Sequence, residues 1–196
     1  MRNLELKVRC PDETTLEILE ERAQQNDAAY IHTLQQRDTY FNVPSGRLKL
    51  REWSVQEDMQ RTSKYSKAHN DVQEAYETGS SGALLVAYTR PNEESSRVSE
   101  YLISTITNPT TFLPLLTTTL GTWMTIEKTR VLYRYGRTRI HFDRVTGLGS
   151  FVELETKFAG ASSDAEIIAE HATVKAFLQL ELFPIIAYSY SDMAKR

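Results

Sequence analysis

Apolar and polar positions alternate from the first residues of this chain. In RNLELKVRC, Leu4, Leu6 and Val8 fall on one face and Asn3, Glu5, Lys7 and Arg9 on the other, the period of a strand whose polar face carries both signs of charge. The period then changes. Asp12 stands where a helix cap belongs, and Leu16, Leu19 and Ala23 recur at helical spacing through ETTLEILEERAQQ, which predicts an amphipathic helix. YIHTLQQRDTYFNV predicts a strand pair leading into the Pro44-Ser45-Gly46 turn, and GRLKLREW the returning partner of a hairpin. From Ser54 to Gly82 the sequence is polar, lacks a sustained period and ends in GSSG. We expect a loop insertion over about 54–82, with one helical turn near DVQEAYE.

Beyond it, ALLVAYTRP and SSRVSEYLIS predict strands, and NPTTFLPLLTTTLG a helix closed by Gly121. MTIEKTRVLYRYG, RTRIHFDRV and SFVELETKF follow as three strands joined by short glycine-containing turns. Ser163 and Glu166 form a capping box for a last helix, with Ile167, His171, Val174 and Leu178 along one face. The tail PIIAYSYSDMAKR shows no readable period. About eight strands and three helices, with short connections that favour antiparallel pairing, predict an α+β fold: an eight-stranded antiparallel β-barrel, closed or nearly so.

The charges decide which strand faces are inside. In GRLKLRE, Arg47, Lys49 and Arg51 alternate with Leu48 and Leu50, and an isolated half-buried strand would turn its leucines to the core and its cations to water. The same oddity recurs on other strands: Glu5 and Lys7; Arg90; Arg97; Lys128 and Arg130; Arg139, His141 and Asp143; Glu153 and Glu155. A solvated outer face would mix in more Ser, Thr, Asn and Gln. If helices cover the outside of the barrel, the aliphatic faces lie beneath them and the charged faces point into a polar lumen. Such a lumen is costly to hold dry and unpaired. It suits a hydrated cavity for a polyanion, with carboxylates that form ion pairs or collect hard cations such as Mg2+ or Mn2+, and this combination points to polyphosphate chemistry. Taken singly the residues read more blandly. Glu153 and Glu155 are the wet face of an edge strand, His141 is a hydrogen-bonded core residue, and Tyr40, Tyr88 and Tyr101 are packing residues.

Composition narrows the classes. With 196 residues, 40% hydrophobic and 25% charged, and a mean hydropathy of −0.44, the chain has the make-up of a soluble globular protein, and one domain spanning 1–196 is expected. No apolar run reaches membrane-spanning length, so no membrane partner is expected. The opening residues lack the order of a signal peptide, and Cys10, the single cysteine, rules out an internal disulfide and a thiolate cluster; a cytoplasmic location is expected. A net charge of −3 argues against nucleic acid as partner.

At this point the chain resembles the CYTH superfamily, the triphosphate tunnel metalloenzymes. Glu5-Leu6-Lys7 resembles the later part of the N-terminal ExExK signature, and RDTYFNVPSGRLKLRE the first basic hairpin. YTRP, RVSEY, EKTR, RIHFDRVTGLGSFVELE and YSYSDM resemble further landmarks in the family's order. The resemblance implies a tunnel that grips a triphosphate through Arg47, Lys49, Arg51, Arg90, Arg97, Lys128, Arg130 and Arg139. Lys7, Lys49, Arg90 and Lys128 are the implied catalytic residues, and Glu5, Glu153, Glu155 and Asp143 the implied ligands for Mg2+ or Mn2+. A homodimer is compatible with it. Asn3 departs from the signature, since it stands where the first glutamate belongs, and one metal position is weakened or lost as a result.

Three activities fit these residues. A class IV adenylyl cyclase converts ATP to cyclic AMP and pyrophosphate, and HFDRVTGLGSF and SYSDM look closest to that branch. A triphosphatase would hydrolyse inorganic triphosphate, thiamine triphosphate or a nucleoside triphosphate; hydrolytic members pair a tunnel lysine with a tyrosine, where AYTRP carries Arg90, and arginine is no general base at neutral pH. A module that binds a nucleotide or polyphosphate without turnover is the third.

Overall fold

Strand β1 (Arg2–Arg9) opens the fold, in a computed structural model that describes residues 2–56, 81–89, 95–158 and 163–195. Helix α1 (Glu13–Gln25) follows, capped by Asp12, whose carboxylate accepts from the Thr15 amide at 2.7 Å. Residues Ala29–Phe41 form one long strand, β2, where the sequence suggests a pair; the stretch holds no glycine or proline to turn it, and a register shift between Tyr30 and His32 absorbs the irregularity. Strands β3 (Arg47–Gln56), β4 (Gly82–Thr89) and β5 (Arg97–Thr105) come next. Ser54 and Gly82 therefore belong to strands rather than to the expected insertion, of which residues 57–80, DVQEAYE included, lie outside the described residues.

Helix α2 (Pro109–Leu120) starts on a proline, which has no amide hydrogen to leave unpaired, and ends at Gly121, whose φ of 71° is open to glycine at little cost. Strands β6 (Thr122–Tyr135), β7 (Thr138–Val145) and β8 (Gly149–Lys157) are followed by α3 (Asp164–Phe177), which carries the Ser163–Glu166 capping box. A fourth helix, α4 (Tyr190–Ala194), sits in the tail; its five residues are too few to display a period. Among the described residues no helix is long and apolar enough to cross a membrane.

The strands close into an antiparallel barrel in the order β1-β5-β4-β3-β2-β6-β7-β8. Outward-facing Leu6, Val8, Ile140, Phe142, Val152 and Leu154 pack under Leu16, Leu19 and Ala23 of α1 and Val174 of α3. On another flank Leu50 and Phe41 are buried beside Phe112, Leu116 and Leu120 of α2. Each such side chain contributes about 1.5–3 kcal/mol by leaving water. With the leucines of β3 committed to this outer layer, alternation sends Arg47, Lys49 and Arg51 inward.

Two apolar layers bound the lumen. Toward one end Leu34, Trp53, Leu84 and Leu132 fill it. The Trp53 ring lies so close to Gly82 that a Cβ there would come within 2.6 Å of it, so only glycine fits. Toward the other end Tyr40, Ile126, Val145 and Phe151 seat Tyr190 of α4.

Candidate active site

Between these layers lies a cavity of about 120 Å³ whose walls are unequal. Strands β1, β3, β6 and β7 bring in Lys7, Lys49, Arg51, Lys128, Arg130 and Arg139 and β8 brings in Glu153 and Glu155, while β4 and β5 present Leu84, Val86, Tyr88, Tyr101 and Ile103. Most of the charged groups are buried, and carboxylates pair them in clusters.

On β2, Asp38 accepts from Lys49 Nζ at 2.9 Å, from Arg51 Nε at 2.8 Å and Nη2 at 2.9 Å, and from Gln36 at 3.1 Å. On β7, Asp143 takes a two-pronged contact from Arg130, both arms at 2.6 Å, with the Tyr190 hydroxyl donating at 2.8 Å and Lys128 Nζ at 3.4 Å. On β8, Glu153 lies 3.3 Å from Lys7 and 3.0 Å from Arg130, and Glu155 lies 2.9 Å from Arg139. Glu5 is directly across from Glu155 in the ladder and accepts from the Ser99 hydroxyl.

Ionisation follows from this pairing. Burial opposes the charged form of Asp38, but Arg51 and Lys49 outweigh it and hold the carboxyl well below the usual range. Glu153 is likewise held well below its ordinary value by Lys7 and Arg130 against burial, and Glu155 is brought to about 2 chiefly by Arg139. Lys128 moves the other way. Burial and then the Arg130 charge pull its ammonium down to about 7, despite Asp143 and Asp38. The cations also lie against rings: Lys7 Nζ is 3.7 Å and Lys128 Nζ 4.7 Å from the centre of Tyr190.

Of the residues singled out from the sequence, Glu5, Lys7, Lys49, Arg51, Lys128, Arg130, Arg139, Glu153 and Glu155 line this cavity. Asp143 also points inward, with both oxygens engaged. Arg47 is at the rim, 2.6 Å from Asp192 of α4, and Arg97 donates to the Ile186 carbonyl at 3.3 Å, so these two hold the tail. Arg90 lies outside the described residues.

His141 departs from the expected core histidine. It is buried in the lumen, and among the described residues neither ring nitrogen has a hydrogen-bond partner; the nearest carboxylate oxygen, Glu153 Oε2, is 3.8 Å from Nδ1. One donor atom each from His141, Glu153 and Glu155 can be chosen within 4.8 Å of one another. This orphaned nitrogen beside two ionised carboxylates fits a divalent cation. By contrast, His171 of α3 is satisfied, against Thr156 at 2.8 Å and Ser96 at 3.1 Å.

Sequence reasoning passes over Asp38, yet the alternation of Gln36, Asp38 and Tyr40 would place it inside once β2 is taken as one strand. Tyr190 and Ser189 of the cavity wall come from the tail, where alternation gives no signal.

A closed antiparallel barrel with a paired basic lumen and a carboxylate cluster is the triphosphate tunnel architecture. The chain belongs to the CYTH domain family, whose profile matches residues 1–182. The PH1012 protein of Pyrococcus horikoshii has a similar structure, with TM-score 0.70 at 17% identity over 97% of this chain and 98% of that one. A candidate adenylate cyclase from Vibrio parahaemolyticus superposes with TM-score 0.63 at 14% identity, covering 99% and 98%. The Mimivirus capping enzyme triphosphatase does so with TM-score 0.52 at 11% identity, covering 91% and 89%. At these identities the likeness shows the fold. No curated protein matches the chain.

Proposed function

We propose that this CYTH protein is a divalent-metal-dependent enzyme that draws a triphosphate into its lumen, and that its reaction is of the class IV adenylyl cyclase type, ATP to cyclic AMP and pyrophosphate. The observation that carries the proposal is the lumen itself. Lys7, Lys49, Arg51, Lys128, Arg130 and Arg139 converge on one cavity in which an imidazole with no hydrogen-bond partner among the described residues faces two carboxylates. Anion binding alone gains nothing from those carboxylates.

The apolar wall of β4 and β5 favours a substrate with an organic group over bare triphosphate, since Leu84, Val86, Tyr88 and Ile103 offer a nucleoside a surface opposite the phosphate-binding cations. In the cyclase reaction the ribose 3′-oxygen bonds to the α-phosphorus, the bond from that phosphorus to the bridging oxygen breaks, and pyrophosphate leaves. The arginines and lysines hold the leaving pyrophosphate in place and offset the charge it gains. Lys128, whose ammonium is pulled down to about 7 by burial and then by the Arg130 charge, is the lumen group suited to accept the hydroxyl proton. Glu153, Glu155 and His141, with Glu5 nearby, would hold a Mg2+ or Mn2+ ion, which would supply Lewis-acid activation of the hydroxyl.

The same lysine supports a second reading, because a neutral amine can take a proton from water as readily as from a hydroxyl, which gives a triphosphatase. Product analysis separates the two. ATP, GTP, thiamine triphosphate and inorganic triphosphate are each incubated with Mg2+ and with Mn2+. Cyclic AMP and pyrophosphate in equal amounts are expected; orthophosphate as main product moves the protein to the hydrolases, and tight binding without turnover makes it a sensor.

A further inference from the structure

We infer that His141 supplies a nitrogen ligand to the divalent ion, so that the metal centre lies between β7 and β8 and selects a first-row transition ion over Mg2+. The inference rests on the reading that the tunnel holds a divalent cation, and it concerns where that ion sits and which ion it is. Three observations carry it.

Position 3, the first acidic position of the ExExK signature, is Asn3 here, and its amide oxygen accepts from the Tyr101 hydroxyl at 3.2 Å. A neutral carboxamide already hydrogen-bonded in this way is a poor replacement for a carboxylate. On the far side of β8 the ladder places His141 directly opposite Glu153, and Arg139 opposite Glu155. Both nitrogens of that imidazole are buried and lack a hydrogen-bond partner among the described residues, an arrangement that costs stability and that a ligand would relieve. The three side chains can each bring one donor atom within 4.8 Å of the others, close enough to share one ion. The donor set is thus one imidazole nitrogen and two carboxylates. Mg2+ takes an octahedron of oxygens and keeps its waters, whereas imidazole suits first-row transition ions.

The test uses the full chain without triphosphate, with Mn2+ as probe. Free Mn2+ is followed by its electron paramagnetic resonance signal, bound Mn2+ by electron spin echo modulation from directly coordinated nitrogen, and Mg2+ by competition. The expected result is nitrogen modulation in the wild type that changes on labelling with 15N-histidine. H141Q, in which an amide replaces the ring, should lose the modulation and bind Mn2+ about tenfold or more weakly, the lower end of the range for disturbing a metal site. Its Mg2+ affinity should change less. N3E, which restores an acid on β1, should raise Mg2+ affinity and so narrow the preference. The labelling arm needs no variant, so a misfolded H141Q does not decide the matter. Bound Mn2+ without nitrogen modulation, or H141Q with wild-type Mn2+ affinity and Mn2+/Mg2+ ratio, overturns the inference and leaves the proposed enzyme standing. Failure of the wild type to bind Mn2+ at all removes both.

Discussion

Asp38→Asn tests the electrostatic design of the lumen most directly. The substitution keeps the shape of a fully buried side chain and removes one charge, the charge that faces Lys49 and Arg51 through three hydrogen bonds of 2.8–2.9 Å. An amide cannot accept from two cations with both of its termini, so at least one bond is lost and the cations confront each other and Lys128. Breaking a buried ion pair on one side costs about 3–5 kcal/mol, and the lower value applies here because Lys49 and Arg51 retain some contact with water. For a chain of this length about 3 kcal/mol lowers the melting temperature by about 6–12 °C.

The pH dependence has a definite sign. The folded carboxyl of Asp38 sits well below its unfolded value because Arg51 and Lys49 overcome its burial. Its contribution is therefore complete above the unfolded pKa, about 3.9, and is lost as pH falls from there through the folded pKa. Wild type and variant should differ fully at pH 7, begin to converge below about pH 4 and meet only below the folded pKa. Inorganic triphosphate offers the stranded cations another anion, so the rise in melting temperature on adding it should be larger for the variant. Thermal melts at pH 7 and pH 3.5, with and without inorganic triphosphate, give all these quantities. A variant that melts within 2 °C of wild type at pH 7, or that responds less to triphosphate, would show that Asp38 does not organise these cations.

Lys49→Met leaves Asp38 with Arg51, so the empty protein should lose less than about 1 kcal/mol, while triphosphate binding, read by calorimetry, weakens by about 1–3 kcal/mol. Leu50→Lys puts a charge into the fully buried layer beside α2 and should leave no cooperative melt. Lys128, at about 7 in the folded protein, should make stability rise with pH between about 7 and 10.4, where only the unfolded chain holds that proton; Lys128→Met should flatten this slope in urea titrations.

How much of this is legible in the sequence depends on whether a residue's role is written in local periodicity. The faces of β3 are: once Leu48 and Leu50 are assigned to the outer layer, period two fixes Arg47, Lys49 and Arg51 inside. Caps are local as well, and Asp12, Gly121 and the Ser163–Glu166 box stand where the sequence puts them. The misreading of β2 as two strands hid Asp38, because a break within YIHTLQQRDTYFNV leaves the parity of its second half undefined. Partner choice is another matter. That Arg97 serves the Ile186 carbonyl and Arg47 serves Asp192, while Arg51 serves Asp38, depends on where a tail some 90–145 positions away returns to the barrel. Nothing in a strand's own alternation carries that information. His141 shows the same limit in reverse, since its lack of a hydrogen-bond partner among the described residues is a property of the assembled lumen.

The lumen's charge balance leads to a last prediction. Lys7, Lys49, Arg51, Lys128, Arg130 and Arg139 stand against Glu5, Asp38, Asp143, Glu153 and Glu155, so the empty cavity is nearly neutral, and its cations are already paired. A triphosphate cannot simply dock onto free positive charge. It must draw Lys7 and Arg130 from Glu153, which strands a buried carboxylate at a cost of several kcal/mol unless another cation replaces them. A divalent ion at Glu153 and Glu155 is that replacement. Metal and triphosphate should then bind with positive coupling, on the order of tenfold, and the coupling must be the same whichever is added first. Glu153→Gln separates this from chelation of the metal by triphosphate in solution. Neutralising the acid does in advance what the metal does on binding, so metal-free triphosphate should bind the variant more tightly than wild type, and added Mn2+ should improve its affinity little, once free-ion concentrations are corrected for complexation. Calorimetric titrations of both proteins with inorganic triphosphate, in chelator and in Mn2+, read the two effects. Weaker metal-free binding by E153Q would mean that Glu153 orients Lys7 and Arg130 for the substrate rather than competing for them, and the exchange of partners would have to be abandoned.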